Sequence, residues 1–244
     1  MNIETTAEGR KNPCDSGGQS KPCDSGAGNN SSGGGVRVKL CGLTRPEDIL
    51  TVNRIMPDYV GFVFYRKSRR AVTGGQAAAL KKFLSSAIKA VGVFVEEDPE
   101  VILDLVRREV IDLVQLHGRE DEETVKRVQE LCRVPVIRAF SVRTAEDVRA
   151  AEMSSADYVL LDSGSGGTGE RFDLSLAAGR AGAFRRPWFY AGGLTPENVG
   201  EALWELREAG AEPFAVDASS SLETDGRKDP EKMRAFVRAV REAR

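Results

Sequence analysis

Two side chains in this sequence have the chemistry to pass protons to and from a small molecule, and both close an apolar run. Cys41 ends Val36-Arg-Val-Lys-Leu-Cys and is followed by Gly42, while Asp162 ends Tyr-Val-Leu-Leu-Asp. A cysteine in such a run is usually a small core hydrophobe, yet at a strand end its thiol would face the mouth of a site and could act as a base. A carboxyl closing so apolar a stretch either caps a loop or has a raised pKa and serves as a general acid. On two sides of one pocket they would form an acid/base pair whose environments push their pKa values apart.

Other segments could hold a substrate. Gly192-Gly193-Leu-Thr195-Pro and Asp217-Ala-Ser219-Ser220 each combine small residues with the start of a helical stretch. Glycine lets backbone N–H groups approach an anion, and a helix N-terminus adds partial positive charge. Gly192, Gly193, Asp217, Ser219 and Ser220 therefore mark a phosphate site, the alternative being turn glycines and capping serines. Arg66-Lys-Ser-Arg69-Arg70 is a solvated loop or a guanidinium set to grip a carboxylate in bidentate fashion. His117, the only histidine, either lines the pocket or hydrogen-bonds a loop, with the loop bond preferred.

The glycine-rich stretch at 164–169 matches G-x-G-x-x-G formally, but it does not open a first βαβ unit and no acidic residue lies about twenty positions onward. A mobile lid over the pocket is the better account. Cys14 and Cys23 lie in a polar segment, Cys41 and Cys132 in apolar ones, which is neither a disulfide framework nor metal spacing. The chemistry implied uses side chains alone, with no metal and no cofactor.

Groups so far apart in sequence need a scaffold that gathers strand ends on one face. From Val36 onward short apolar runs alternate with amphipathic stretches, the pattern of a parallel sheet. The predicted strands are Val36–Cys41, Tyr59–Phe64, Ile88–Val95, Asp112–His117, Pro135–Phe140, Asp157–Asp162, Pro187–Ala191 and Pro213–Ala218. Thr44-Arg-Pro-Glu, Thr195-Pro-Glu and Asp229-Pro-Glu read as capped helix starts. Eight such units without a second composition break predict an α/β fold, a single (β/α)8 TIM barrel over 36–244, with chemistry at the C-terminal strand ends. Residues 1–35 are Gly, Ser, Asn and charge around a repeated Pro-Cys-Asp-Ser-Gly, and read as a disordered tail.

At 244 residues with 41% hydrophobic and 30% charged side chains, the composition is that of a soluble globular protein. A formal charge of −2 gives no footprint for nucleic acid, and no apolar run is long enough to span a bilayer. The expected partner is a small phosphorylated substrate, the expected setting the cytoplasm. Outer helix faces show no clear patch, leaving monomer and homodimer both open.

Taken in order, Lys39-Leu-Cys-Gly-Leu-Thr44, Gly61-Phe-Val-Phe-Tyr with Ser68-Arg-Arg70, Val91-Gly-Val-Phe-Val95 and Gln115-Leu-His-Gly118 resemble the phosphoribosylanthranilate isomerases of tryptophan biosynthesis. So do Leu160-Leu-Asp162, Gly166-Gly-Thr-Gly with Phe172-Asp173, Ala191-Gly-Gly-Leu-Thr-Pro-Glu-Asn-Val199, and Val216-Asp-Ala-Ser-Ser220 with Glu223 and Lys228-Asp229. The resemblance implies a β/α barrel that performs a cofactor-free Amadori rearrangement. It makes Cys41 the general base and Asp162 the general acid, gives Arg70 the anthranilate carboxylate, and assigns phosphate to Gly192, Gly193, Ser219 and Ser220. A thiolate base would need local positive charge to keep it partly ionised.

The sequence departs from that family in three places. Ala218 replaces a valine, Ser221-Leu222 replaces Gly-Val, and Leu174 stands where tryptophan is common. If the replaced glycine has a positive φ, Ser221 is strained there. A phosphometabolite sensor without catalysis and a histidine-pathway aldose isomerase are the rival readings, the second of which would want an aspartate in place of Cys41.

Overall fold

Short strands rich in valine, leucine and aromatic residues run side by side in the computed structural model, which describes residues 35–162 and 186–243. They are β1 (Arg37–Cys41), β2 (Tyr59–Val63), β3 (Lys89–Phe94), β4 (Leu113–Leu116), β5 (Val136–Ser141), β6 (Tyr158–Asp162), β7 (Trp188–Tyr190) and β8 (Ala215–Ala218). Each pairs in parallel with the next and β8 returns to β1, closing the barrel anticipated from the alternation. Closure removes the sheet edges that an open parallel sheet would leave.

The described helices are α1 (Pro46–Ile55), α2 (Gly74–Lys81), α3 (Pro99–Arg107), α4 (Glu122–Cys132), α5 (Ala145–Met153), α6 (Val199–Glu208) and α7 (Pro230–Glu242). No helix among the described residues is long and apolar enough to cross a membrane. A one-turn 3₁₀ helix, Ser220–Leu222, and a two-stranded ribbon, β9 (Glu223–Thr224) with β10 (Arg227–Lys228), follow β8. The proposed tail up to residue 34, with Cys14 and Cys23, lies outside the described residues, as do the glycine-rich lid motif and Leu174.

Two of the three expected helix starts need correction. Thr44 does not cap α1; Arg45 is the N-cap, and the Asp48 carboxylate accepts from the N–H groups of Thr44 and Arg45 at 3.0 Å each. An acid at the third helical position thus supplies the half of a capping box that reaches back to the N–H groups ahead of the helix. Thr195 opens a turn rather than the helix, since α6 starts at Val199 behind Asn198, whose Oδ1 accepts from the Thr195 N–H. Asp229 does cap α7, accepting from Glu231 and Lys232.

Strand pleating sends alternate side chains to opposite faces, and the burial follows it. Val38 and Leu40 of β1, Val60 and Phe62 of β2 and Val216 and Ala218 of β8 pack outward in the larger core beneath the helices. Tyr59, Val91, Leu113, Ile137, Leu160, Phe189 and Ala215 pack in a separate core inside the barrel. Tyr59, Tyr158, Phe189 and Phe214 plug its lower end through edge and tilted ring contacts, with the Arg37 guanidinium 4.3 Å from the Phe214 ring centre. The same parity carries Lys39 and Cys41, Gln115 and His117, Asp162, and Asp217 and Ser219 inward nearer the C-terminal rim. The upper barrel is therefore polar where the lower is aromatic.

Candidate active site

Cys41 is buried at the end of β1, opposite Gly61 in the β1–β2 register. Gly61 makes room for it: a β-carbon there would stand 2.6 Å from the Cys41 sulfur. Gly42, at φ +81°, turns the chain away directly after the thiol, a conformation L side chains rarely adopt. Burial pushes the Cys41 thiol above its ordinary range, and Lys39 is the strongest influence in the other direction. Lys39 thus supplies the local positive charge that a thiolate base needs, working against the burial that holds the resting thiol high.

Asp162 ends β6 on the same inner parity, partly open at the rim. His117 faces it from the end of β4, with Nε2 3.8 Å from Oδ2. The imidazole is oriented from behind, because the Gln115 amide nitrogen lies 2.8 Å from Nδ1 and can only donate to it. That bond leaves the proton of the neutral ring on Nε2, toward Asp162. Burial lowers the His117 pKa while Asp162 pulls it up. Among the described residues the side chain meets Gln115 and Asp162 and lines the rim, whereas the preferred expectation tied it to a loop.

Beneath the thiol lies a buried ion pair. Lys39 is fully buried and its ammonium donates to Asp217 Oδ2 at 2.8 Å, joining residues that the β1–β8 register sets opposite each other. Burial disfavours the ammonium, but Asp217 and the adjacent Cys41 outweigh it, so Lys39 keeps its proton. Among the described residues Asp217 Oδ1 is buried without a hydrogen-bond partner. Placed under the rim and committed to Lys39, Asp217 is not positioned as a phosphate ligand; its charge would repel one.

The β2–α2 loop and the segment after β8 meet at Glu223. This side chain, only 5% exposed, accepts from Arg70 Nε at 2.5 Å and Nη2 at 3.0 Å, from Arg69 Nη2 at 2.8 Å and from Lys228 Nζ at 2.8 Å. Burial would raise its pKa, yet these cations hold it below the ordinary carboxylate range. Arg70 packs against Gly42, where an added β-carbon would meet its Cδ at 2.4 Å. The guanidinium expected to hold a carboxylate thus sits beside the strand-one loop, already braced by a protein carboxylate.

Gly192 and Gly193 follow β7 with φ of +89° and +65°. Asn198 fastens their loop by donating to the Gly193 carbonyl at 2.9 Å. Ser219 donates to the Cys41 carbonyl at 3.0 Å, tying the end of β8 to that of β1. Ser221 donates to the Leu194 carbonyl and so links the two loops expected to bind phosphate. It does not take the left-handed backbone feared for it: among the described residues the non-glycine residues with positive φ are Met56, Glu96, Glu109, Arg133 and Asp225.

Nearly all of the barrel matches a family model. The model of N-(5'phosphoribosyl)anthranilate (PRA) isomerase aligns with residues 38–239. The chain belongs to this family. The N-(5'-phosphoribosyl)anthranilate isomerase of Acetivibrio thermocellus is 43% identical over 216 residues, covering 84% of this chain and 96% of that one. A solved phosphoribosyl anthranilate isomerase in complex with reduced 1-(o-carboxyphenylamino)-1-deoxyribulose 5-phosphate superimposes with a TM-score of 0.74 at 38% identity, covering 85% of this chain and 99% of that one. The enzyme of Thermotoga maritima, solved as monomers generated from a dimeric form, gives 0.72 at 38%, covering 84% and 98%.

Membership makes the chain an isomerase of tryptophan biosynthesis. Four groups of this isomerase's site, Lys39, Gln115, Glu223 and Lys228, stood within the quoted motifs without a role in the sequence reading. A signal for the first was present: Lys39 and Asp217 are opposite charges at inward positions of otherwise apolar strands, and a closed barrel makes the first and last strands neighbours.

Proposed function

We propose that Cys41 and Asp162 divide the proton transfers by which this isomerase converts N-(5′-phosphoribosyl)anthranilate to 1-(2-carboxyphenylamino)-1-deoxyribulose 5-phosphate. The supporting observation is their common setting: both end strands on the inner parity of one barrel, and both lie within electrostatic reach of the buried Asp217. Asp162 protonates the ribose ring oxygen as the C1′–O bond breaks, and the anilino nitrogen supplies the electron pair that leaves an iminium at C1′. The iminium acidifies C2′. Cys41, as thiolate, takes the C2′ proton, the C–H electrons form the enol–amine, and tautomerisation gives the ketone.

Substrate contacts follow from the rim. Gly192 and Gly193, with Ser219 and Ser220 across the Ser221 link, offer backbone N–H groups and hydroxyls to the phosphate. Arg70 offers its outer guanidinium edge to the anthranilate carboxylate. His117 presents Nε2–H beside Asp162, toward the sugar hydroxyls. The catalytic domain is the barrel of 36–244, preceded in sequence by the segment 1–35, and the enzyme works in the cytoplasm as a monomer or homodimer.

The test is direct. Freshly generated phosphoribosylanthranilate should lose its fluorescence on addition of the enzyme, and Cys41→Ala or Asp162→Ala should each cost at least ~100-fold in kcat with the fold intact, the scale of a lost general acid or base. Full activity in either folded variant would remove that residue from the mechanism.

A further inference from the structure

Lys39 has no part in the mechanism above, yet a fully buried ammonium carries a large desolvation cost that a merely structural position would avoid. Replacing such a pair by apolar residues of similar volume is often neutral or stabilising, so stability is a weak reason for its presence. Its geometry supplies a better one. Lys39 and Cys41 are two residues apart on β1 and so share the inner face of the barrel.

We propose that Lys39 is a positioning residue for the reaction: its ammonium, fixed by Asp217, stabilises the thiolate of Cys41 that receives the C2′ proton. This inference rests on the reading of Cys41 as the base.

The charges around the sulfur single out Lys39. Among the described residues, the charges acting most strongly on Cys41 are Lys39 on its own strand, Asp217 on β8 and Lys228 on β10, and Arg70 packs against the adjoining Gly42. Lys228 and Arg70 both turn their cationic ends to Glu223, whereas Lys39 shares the inner face of β1 with Cys41 and is the charge that acts most strongly on its thiol. Asp217 has the complementary task. A lone buried lysine tends to shed its proton, and an ammonium that became an amine would offer the thiolate no charge. Asp217 keeps it charged through one oxygen and the short reach of a neighbouring strand. Lys39 gains and loses no proton in the cycle. It lowers the energy of the sulfur anion before C–H cleavage, and the S–H bond formed in that step ends the need for it.

The sign is fixed by which charge acts more strongly. Lys39 favours the thiolate and Asp217 opposes it, with Lys39 the stronger of the two. Removing both together leaves no orphaned buried charge and should raise the thiol titration.

The experiment uses the full chain with Lys39→Met/Asp217→Asn and, as a second route to a folded variant, Lys39→Gln/Asp217→Asn. Alkylation of Cys41 by iodoacetamide is followed against pH by mass spectrometry of its peptide, beside pH profiles of kcat and KM. The alkylation midpoint should rise by about one unit or more. The acid limb of kcat should move with it, losing roughly tenfold in rate per unit below the midpoint while KM changes little. Lys39→Arg, which keeps the charge, should hold both near wild type. An unmoved alkylation midpoint in the folded double variants overturns the proposal, as does a loss of kcat that is equal at every pH. A midpoint that moves while the kcat limb stays would uphold the action of Lys39 on the thiol and sink the assignment of Cys41 as base, which separates the two claims.

Discussion

His117 Nε2 stands 3.8 Å from Asp162 Oδ2, too far for a hydrogen bond and close enough for each charge to act on the other. Burial lowers the imidazole pKa and the Asp162 carboxylate is the strongest influence opposing that fall. His117 is the only histidine of the chain, so a single ring resonance reports the pair. Its NMR titration midpoint should lie below the ordinary value of about 6.5, and Asp162→Asn should lower it further. The stability consequence has a definite sign. Between the folded midpoint and about 6.5 the unfolded chain binds the proton more readily, so this residue makes stability fall as pH falls through that window. A midpoint that rises in Asp162→Asn would mean that the two side chains are not coupled as found.

Glu223 gathers Arg69, Arg70 and Lys228 in a site from which it is almost excluded from water. Removing its charge leaves Lys228, itself 2% exposed, without an anion. Glu223→Gln should therefore cost on the order of 3 kcal/mol in urea unfolding, the scale of a broken buried pair. The freed Arg70 should also raise KM more than it lowers kcat. Because the folded carboxyl is held below its ordinary value, its contribution is complete above about pH 4.3 and disappears as pH falls through the folded pKa. The variant should lack that acid-side loss. Stability and KM both unchanged would show the cluster to be incidental.

Ser221 donates to the Leu194 carbonyl across the two proposed phosphate loops, from a one-turn 3₁₀ helix and without a left-handed backbone. Glycine here would relieve no strain. Ser221→Gly should destabilise by about 1–2 kcal/mol, combining a lost hydrogen bond with added backbone freedom. Ser221→Ala should recover the backbone part alone. KM for the phosphorylated substrate should rise in both, since either change uncouples the loops. If Ser221→Gly proved more stable than the parent, the bridging bond would be worth nothing.

The sequence displayed the barrel because its evidence is local. Each apolar run, such as Val91-Gly-Val-Phe, declares a strand within a few residues, and eight such runs in alternation leave little choice of architecture. Cys41 and Asp162 were legible for the same reason, being reactive groups at the ends of apolar runs. Partnerships were hidden where they depended on closure. Lys39 and Asp217 are separated by 178 positions and meet only because the last strand pairs with the first. Arg70 was read as the group to hold a substrate carboxylate, but a residue 153 positions away already holds its guanidinium. Thr44 and Thr195 misled as caps because α1 and α6 begin later, behind Arg45 and Asn198, and Asp48 and Asn198 reach back to hold backbone N–H groups ahead of those helices. Propensity identifies which side chains can cap; only the turn geometry decides which of them does.

Gly61 provides a steric test of the thiol's position. It stands opposite Cys41 in the β1–β2 ladder, and an added β-carbon would lie 2.6 Å from the sulfur, 3.1 Å from Cα and 3.2 Å from Cβ. Rotating the thiol away relieves only the first of these contacts, because strand pairing fixes the Cα. Gly61→Ala must therefore shift β1 against β2 or tilt Cys41 out of line. Overpacking of this kind costs about 1–3 kcal/mol, which the barrel can bear. Catalysis is less tolerant, since a displacement near 1 Å at a reacting group can lower the rate ~100-fold. The variant should stay folded by circular dichroism, bind the substrate with KM near that of the parent and lose kcat by about that factor. Parent-like kcat in folded Gly61→Ala would show that the position of the sulfur is not critical, and with it the proton transfer assigned to Cys41 would fall.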